Sequence, residues 1–139
     1  SVVAVFLESI GYHETASDGV NASLTNEPGT FTIDVVVPLA MGRDAFLPVD
    51  VLVQPNNGGL DRLPVLMDVG SSQDDREAEA QARRALKKHR SLQTTYSESL
   101  PFVLMLSGQI DAGVLGTLAA ESLDWVWQHK INQFAELLR

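Results

Sequence analysis

Apolar positions fall into two rhythms along this chain. Val2, Val3, Phe6, Leu7 and Ile10 recur at helical spacing, which predicts a short helix over residues 2–11 with Gly11 as its stop. Residues 13–30 are polar and hold Gly19, Asn21, Asn26, Pro28 and Gly29, the composition of a loop. Three runs rich in β-branched and other apolar residues follow: 31–37, closed by Pro38; 47–54; and 63–69. Turn residues separate them, at 42–44 and at 55–59, so the three strands are expected to form an antiparallel meander. Ser71 or Ser72 is expected to cap a long helix, with Asp74 and Asp75 near its positive end. Ala78, Ala82, Ala85, Leu86 and His89 mark one face of it, and it fades over residues 91–96. The apolar run 101–106 predicts a buried strand ended by Gly108. Residues 111–138 are expected to be helical, with Leu115, Leu118, Leu123, Val126, Ile131, Phe134 and Leu138 inside. A helix between the third and fourth strands is a crossover, so the fourth strand can join in parallel. The expected fold is an α/β αβββαβ core, a mixed sheet flanked by helices.

Length and composition narrow this picture. The 139 residues, 45% hydrophobic and 20% charged, suit one globular domain, 1–139. The chain begins with Ser, so a processed chain or a piece of a longer protein is expected. Cysteine is absent, which removes disulfides, thiolate zinc sites and cysteine nucleophiles and fits a reducing, cytoplasmic setting. The first residues lack the basic start of a targeting signal, and no run approaches a membrane span. A net charge of −8 argues against coating nucleic acid by bulk charge. The charge is segregated, however. Residues 1–75 carry eleven acids and two bases, whereas 76–90 carry six bases and two acids. Arg83, Arg84, Lys87, Lys88 and Arg90 are the candidate phosphate-contacting face, against the plainer reading of a solvated helix face.

Two acids interrupt apolar strands, Asp50 and Asp68. A carboxylate among buried strand residues is costly unless a cation or donor meets it. Taken singly, either acid reads as a loop cap or an arginine partner. As a pair on adjacent antiparallel strands they can share a face and hold Mg²⁺, which keeps several waters and needs only one or two carboxylates. Asp34 reads as structural. His13 and His129 lack ligand spacing, and His89 reads as packed. Trp125 and Trp127, two apart in an expected helix, cannot both face its core, so one is expected outside or against a partner.

This arrangement resembles the PD-(D/E)xK nuclease superfamily, and most closely the XamI-type restriction endonucleases. The residues that carry the resemblance are Glu27-Pro28-Gly29-Thr30-Phe31, Leu47-Pro48-Val49-Asp50, Leu63-Pro64-Val65-Leu66 and Asp68-Val69-Gly70, then the charged helix. Phe102-Val103-Leu104, Gly108, Asp111-Ala112-Gly113, Leu115-Gly116 and Asp124-Trp125-Val126-Trp127 complete it. The resemblance implies a Mg²⁺-dependent type II endonuclease acting on double-stranded DNA, with a homodimer as the expected assembly. It implies Asp50 and Asp68 as metal ligands with the main-chain carbonyl of Val69, and Glu8 as the one candidate for an added acid from the first helix. The motif lysine falls at Gly70, which has no side chain. Three accounts stand side by side. A donor reaches back from the following helix, with Gln81, Arg84 and Lys88 as candidates; the site is degenerate; or the substitution disarms a toxic nuclease. Gly70 also reads as a strand exit needing a positive φ. The alternative function is a catalytically inactive nuclease-fold domain for DNA binding or protein assembly.

Overall fold

The computed structural model describes residues 1–16, 24, 26–39, 45–58, 62–72, 74–96 and 99–139, and for 71, 72 and 75 the backbone alone. The expected turn at 42–44 lies outside the described residues, as do Gly59 and Gln73.

The β-branched runs build a six-stranded sheet whose spatial order is its chain order. The strands are β1 (His13–Glu14), β2 (Thr30–Pro38), β3 (Phe46–Gln54), β4 (Val65–Ser72), β5 (Phe102–Gly108) and β6 (Asp124–Trp127). β2, β3 and β4 are the antiparallel meander, and β4, β5 and β6 run parallel. β1, within a stretch expected to be loop, pairs in parallel with β2. The helices are α1 (Val2–Ser9), α2 (Asp75–Thr95), α3 (Ala112–Ala120) and α4 (Phe134–Leu137), with a 3₁₀ segment Gln128–Gln133 before α4.

Period-two alternation sends neighbouring residues of each strand into different cores. Leu52, Leu66, Leu104 and Leu106 join α2 and α3 residues on one face of the sheet. Val51, Val53, Met67, Val103 and Met105 join Val3 and Leu7 of α1 and Phe134 and Leu138 near the C-terminus on the other. α2 presents Ala78, Ala82, Ala85, Leu86, His89 and Leu92 to the sheet, the stripe expected from its periodicity. Three alanines in that stripe let its axis come close to β4.

The structure departs from expectation in two further places. β4 runs on through Ser72, so neither Ser71 nor Ser72 caps α2; Asp74 does, its Oδ1 accepting the Glu77 N–H at 2.8 Å. The single helix expected over 111–138 is broken. Ser122 adopts φ 59°, the chain turns, and residues 124–127 extend as β6. In a strand, residues two apart share a face, so Trp125 and Trp127 both pack against the same core.

Candidate active site

The register pairs Val51 with Met67 and Leu52 with Leu66, which places Asp50 across from Asp68 one step further along. Both side chains lie on the α2 face, with Leu52 and Leu66. Here side chains replace the ladder. The Asp50 N–H donates to Asp68 Oδ1 at 3.1 Å, and the Val69 N–H donates to Asp50 Oδ2 at 2.8 Å. Each carboxylate is thus held by the backbone of the opposite strand, which fixes its orientation. Asp68 is buried, 8% exposed, and Asp50 is half-buried.

Two carboxylates so placed repel, and the charge that offsets them comes from α2. Lys88 Nζ lies 2.6 Å from Asp68 Oδ2 and donates to the Pro48 carbonyl at 2.8 Å. One and two turns earlier, Arg84 and Gln81 face the same place. With Asp68, Val69, Gly70, Ala85, Lys88 and Leu104 they line a cavity of about 120 Å³. Gly70 faces α2 with no positive φ, so the left-handed conformation expected of it is absent. It lies close under the helix: a Cβ built there would lie 2.8 Å from Gln81 Oε1, a contact that the Gln81 amide would have to swing aside to relieve.

The remaining candidates disperse. Glu8 is exposed on α1, which packs through Val3 and Leu7 on the other face of the sheet, so the structure does not join it to the two aspartates. Val69 turns its side chain outward, 42% exposed. The five candidate bases of α2 do not form a uniform face. Arg83 makes a loose, exposed contact with Glu79 at 3.9 Å, Arg90 is paired with Glu121, and Lys88 is committed to Asp68. Exposed Arg84 and Lys87 have no ion-pair partner among the described residues. The Arg90–Glu121 hydrogen bond holds the Glu121 carboxyl below its usual range and raises the Arg90 guanidinium. The Pro48 carbonyl escaped sequence reasoning, because a main-chain acceptor leaves no mark in residue type.

His89, beside Lys88, is buried and stacked on Phe102 with ring centroids 6.2 Å apart. Neither ring nitrogen has a hydrogen-bond partner among the described residues. Burial pushes its pKa down, outweighing Asp124 and Glu121, which pull it up; Arg90 adds to the fall. The folded state therefore holds this ring neutral, and the unfolded chain binds its proton more readily. Stability is full above the ordinary histidine pKa of about 6.5 and falls as pH drops from there through the lower native value. His89→Phe should flatten that decline. Urea midpoints at pH 7.5 and 5.5 check it, and equal declines in both proteins would remove His89 as the cause.

An αβββαβ core with opposed carboxylates on the second and third meander strands, met by a cation from the crossover helix, defines a restriction-endonuclease-like domain. Comparison with known proteins gives the particular group: residues 1–127 match the model of the XamI restriction endonuclease family, and the chain belongs to that family. It is similar to the Type II restriction enzyme SalI of Streptomyces albus G, at 30% identity over 132 residues. That match covers 95% of this chain but 42% of the relative, so the chain spans less than half of that enzyme's length. No solved structure matches.

Proposed function

We propose that this chain is the catalytic core of a Mg²⁺-dependent type II restriction endonuclease that hydrolyses phosphodiesters of double-stranded DNA. The observation that carries this reading is the opposed pair Asp50 and Asp68, held by each other's strands and met by Lys88. The donor chemistry fits a hard cation. Asp68 lines the cavity and Asp50 lies across from it on the same face of the sheet, and among the described residues no group of three or more His, Cys, Asp or Glu offers a nitrogen- or sulfur-rich alternative. Mg²⁺ accepts such a site because it fills its remaining positions with water. Asp50 and Asp68 would hold it, with the Val69 carbonyl as a third oxygen. When bound it supplies polarisation of a phosphate oxygen and lowers the pKa of a water.

The chain's own groups do the rest. Arg84 and Lys87 present unpaired charge to DNA phosphates, which supplies sequence-independent affinity. Asp50 and Asp68, on the central strands β3 and β4, would orient the reacting phosphate through the cation they hold. A water oxygen bonds to phosphorus as the bond to one sugar oxygen breaks. The leaving oxygen keeps the electron pair and takes a proton from solvent, giving one phosphomonoester and one hydroxyl. Two strands require two such sites, so a homodimer is the natural assembly, acting on DNA in the cytoplasm. No helix among the described residues is long and apolar enough to cross a membrane.

Gly70 favours a second reading, an inactive nuclease fold that binds DNA without cutting. Plasmid nicking separates the two. Mg²⁺-dependent cleavage should fall at least about 100-fold in Asp50→Asn and in Asp68→Asn, since several kcal/mol of charge stabilisation leave with the cation. Salt-sensitive DNA binding with no cleavage in Mg²⁺ or Mn²⁺ would establish the second reading instead.

A further inference from the structure

We infer that Lys88 is the catalytic cation of this site, delivered from α2 because Gly70 on β4 can carry none, and that the glycine is part of a working arrangement. The inference rests on the endonuclease reading and names the group that completes it.

Three observations converge. The first is position. Lys88 Nζ sits 2.6 Å from Asp68 Oδ2, on the face of the sheet that holds both carboxylates and beside the cavity that Gly70 and Arg84 line. The second is unused capacity. An ammonium carries three N–H donors. Two are directed at Asp68 Oδ2 and the Pro48 carbonyl, and the side chain stays 23% exposed. The third is available to a water or phosphate oxygen entering the cavity. The third is crowding. A side chain at Gly70 would begin 2.8 Å from Gln81 Oε1, so it would enter only as the Gln81 amide swings aside, and in the present packing the helix fills this space. Gln81, Arg84 and Lys88 recur three and four residues apart and so line one face of α2. The helix thereby supplies a polar amide, a guanidinium and an ammonium where β4 supplies a hydrogen atom.

The chemistry follows from charge. Phosphodiester hydrolysis builds negative charge on the equatorial oxygens and on the leaving oxygen, and a preorganised cation is most effective where that charge develops. Lys88 in the resting site neutralises Asp68. With Asp68 holding a divalent cation, the Lys88 ammonium would be free to turn, over about the length of one hydrogen bond, toward the attacking water and the phosphate. It remains tethered through the Pro48 carbonyl.

Single-turnover plasmid cleavage with Mg²⁺ and calorimetric binding of Mn²⁺ alone test this on the same proteins. The unmodified protein should cut. Lys88→Met should lower the rate by at least about 100-fold, within the range for a positioned proton-transfer or charge-stabilising group. It should bind Mn²⁺ as tightly as the unmodified protein or more so, because the ammonium no longer competes for Asp68. Lys88→Arg should restore part of the rate. Gly70→Lys alone should not raise it, whereas Gly70→Lys/Gln81→Ala/Lys88→Met should recover part of what Lys88→Met lost. Lys88→Met cutting within about threefold of the unmodified protein would reduce Lys88 to a counter-ion. Loss of Mn²⁺ binding in Lys88→Met would make it a prop for Asp68. A tenfold or greater gain from Gly70→Lys alone would mark the site as degenerate. An unmodified protein that binds Mn²⁺ and never cuts would fail at the endonuclease reading itself, before Lys88 is tested.

Discussion

Asp68→Ala is expected to destabilise the protein by roughly 2–4 kcal/mol, somewhat less than the loss of one partner from a fully buried ion pair. Two groups lose their partner at once. The Asp50 N–H, whose acceptor is Asp68 Oδ1, is left without it, and Lys88 keeps its charge with only the Pro48 carbonyl near. Lys88 is 23% exposed, so water recovers part of the cost. Adding Lys88→Met removes the stranded ammonium and should return about 1–2 kcal/mol, because replacing both partners costs less than orphaning one. Chemical denaturation of the four proteins of this cycle checks it. A double variant no more stable than Asp68→Ala would show that the ammonium is not strained by the loss. Against a typical domain stability of about 5–15 kcal/mol this is a large effect, so metal-binding experiments on Asp68 variants are best done well below the melting temperature.

Phe134→Ala should cost roughly 3–5 kcal/mol, the usual penalty for emptying a buried aromatic site. Phe134 lies beyond residue 127, where the family match stops, yet it is 0% exposed and packs with Val3, Leu7, Met67 and Val126. The segment is tied down a second way. Arg62 donates to the main-chain carbonyls of Leu137 at 3.3 Å and Arg139 at 2.7 Å, which satisfies acceptors that a helix end leaves open. The last residues therefore belong to the cooperative unit, and their removal should expose the α1 face of the sheet. A denaturation midpoint unchanged in Phe134→Ala would mean that this segment folds independently of the sheet.

The meander, the crossover helix and the parallel fourth strand were legible because each run carries one clean period, and β2, β3 and β5 run up to Pro38, Pro55 and Gly108. The last thirty residues were not. Leu115, Leu118, Leu123, Val126, Ile131 and Phe134 keep near-helical spacing across a break that only Ser122's backbone reveals. The usable signal there was local: Asp124, Trp125, Val126 and Trp127 alternate, and aromatic and β-branched residues favour strands. For the site, the sequence supplied Asp50, Asp68 and the gap at Gly70. It supplied Lys88 only as one of three candidates. Lys88 and Asp68 lie 20 residues apart, and which helical residue meets the carboxylate depends on how α2 lies on β4. The even basic face expected of α2 also dissolved, since Glu79, Glu121 and Asp68 each draw one cation aside.

The alanines of α2 acquire a meaning beyond packing in this light. Ala78, Ala82 and Ala85 are the spacers between the helix and the sheet, and Lys88 rides on the helix while Asp50 and Asp68 ride on the sheet. Their methyl groups set the gap across which ammonium and carboxylate meet, in the way a shim sets the clearance between two machine parts. The approach of ammonium to carboxylate can then be tuned by side-chain volume at positions outside the ion pair, with the charged residues left untouched.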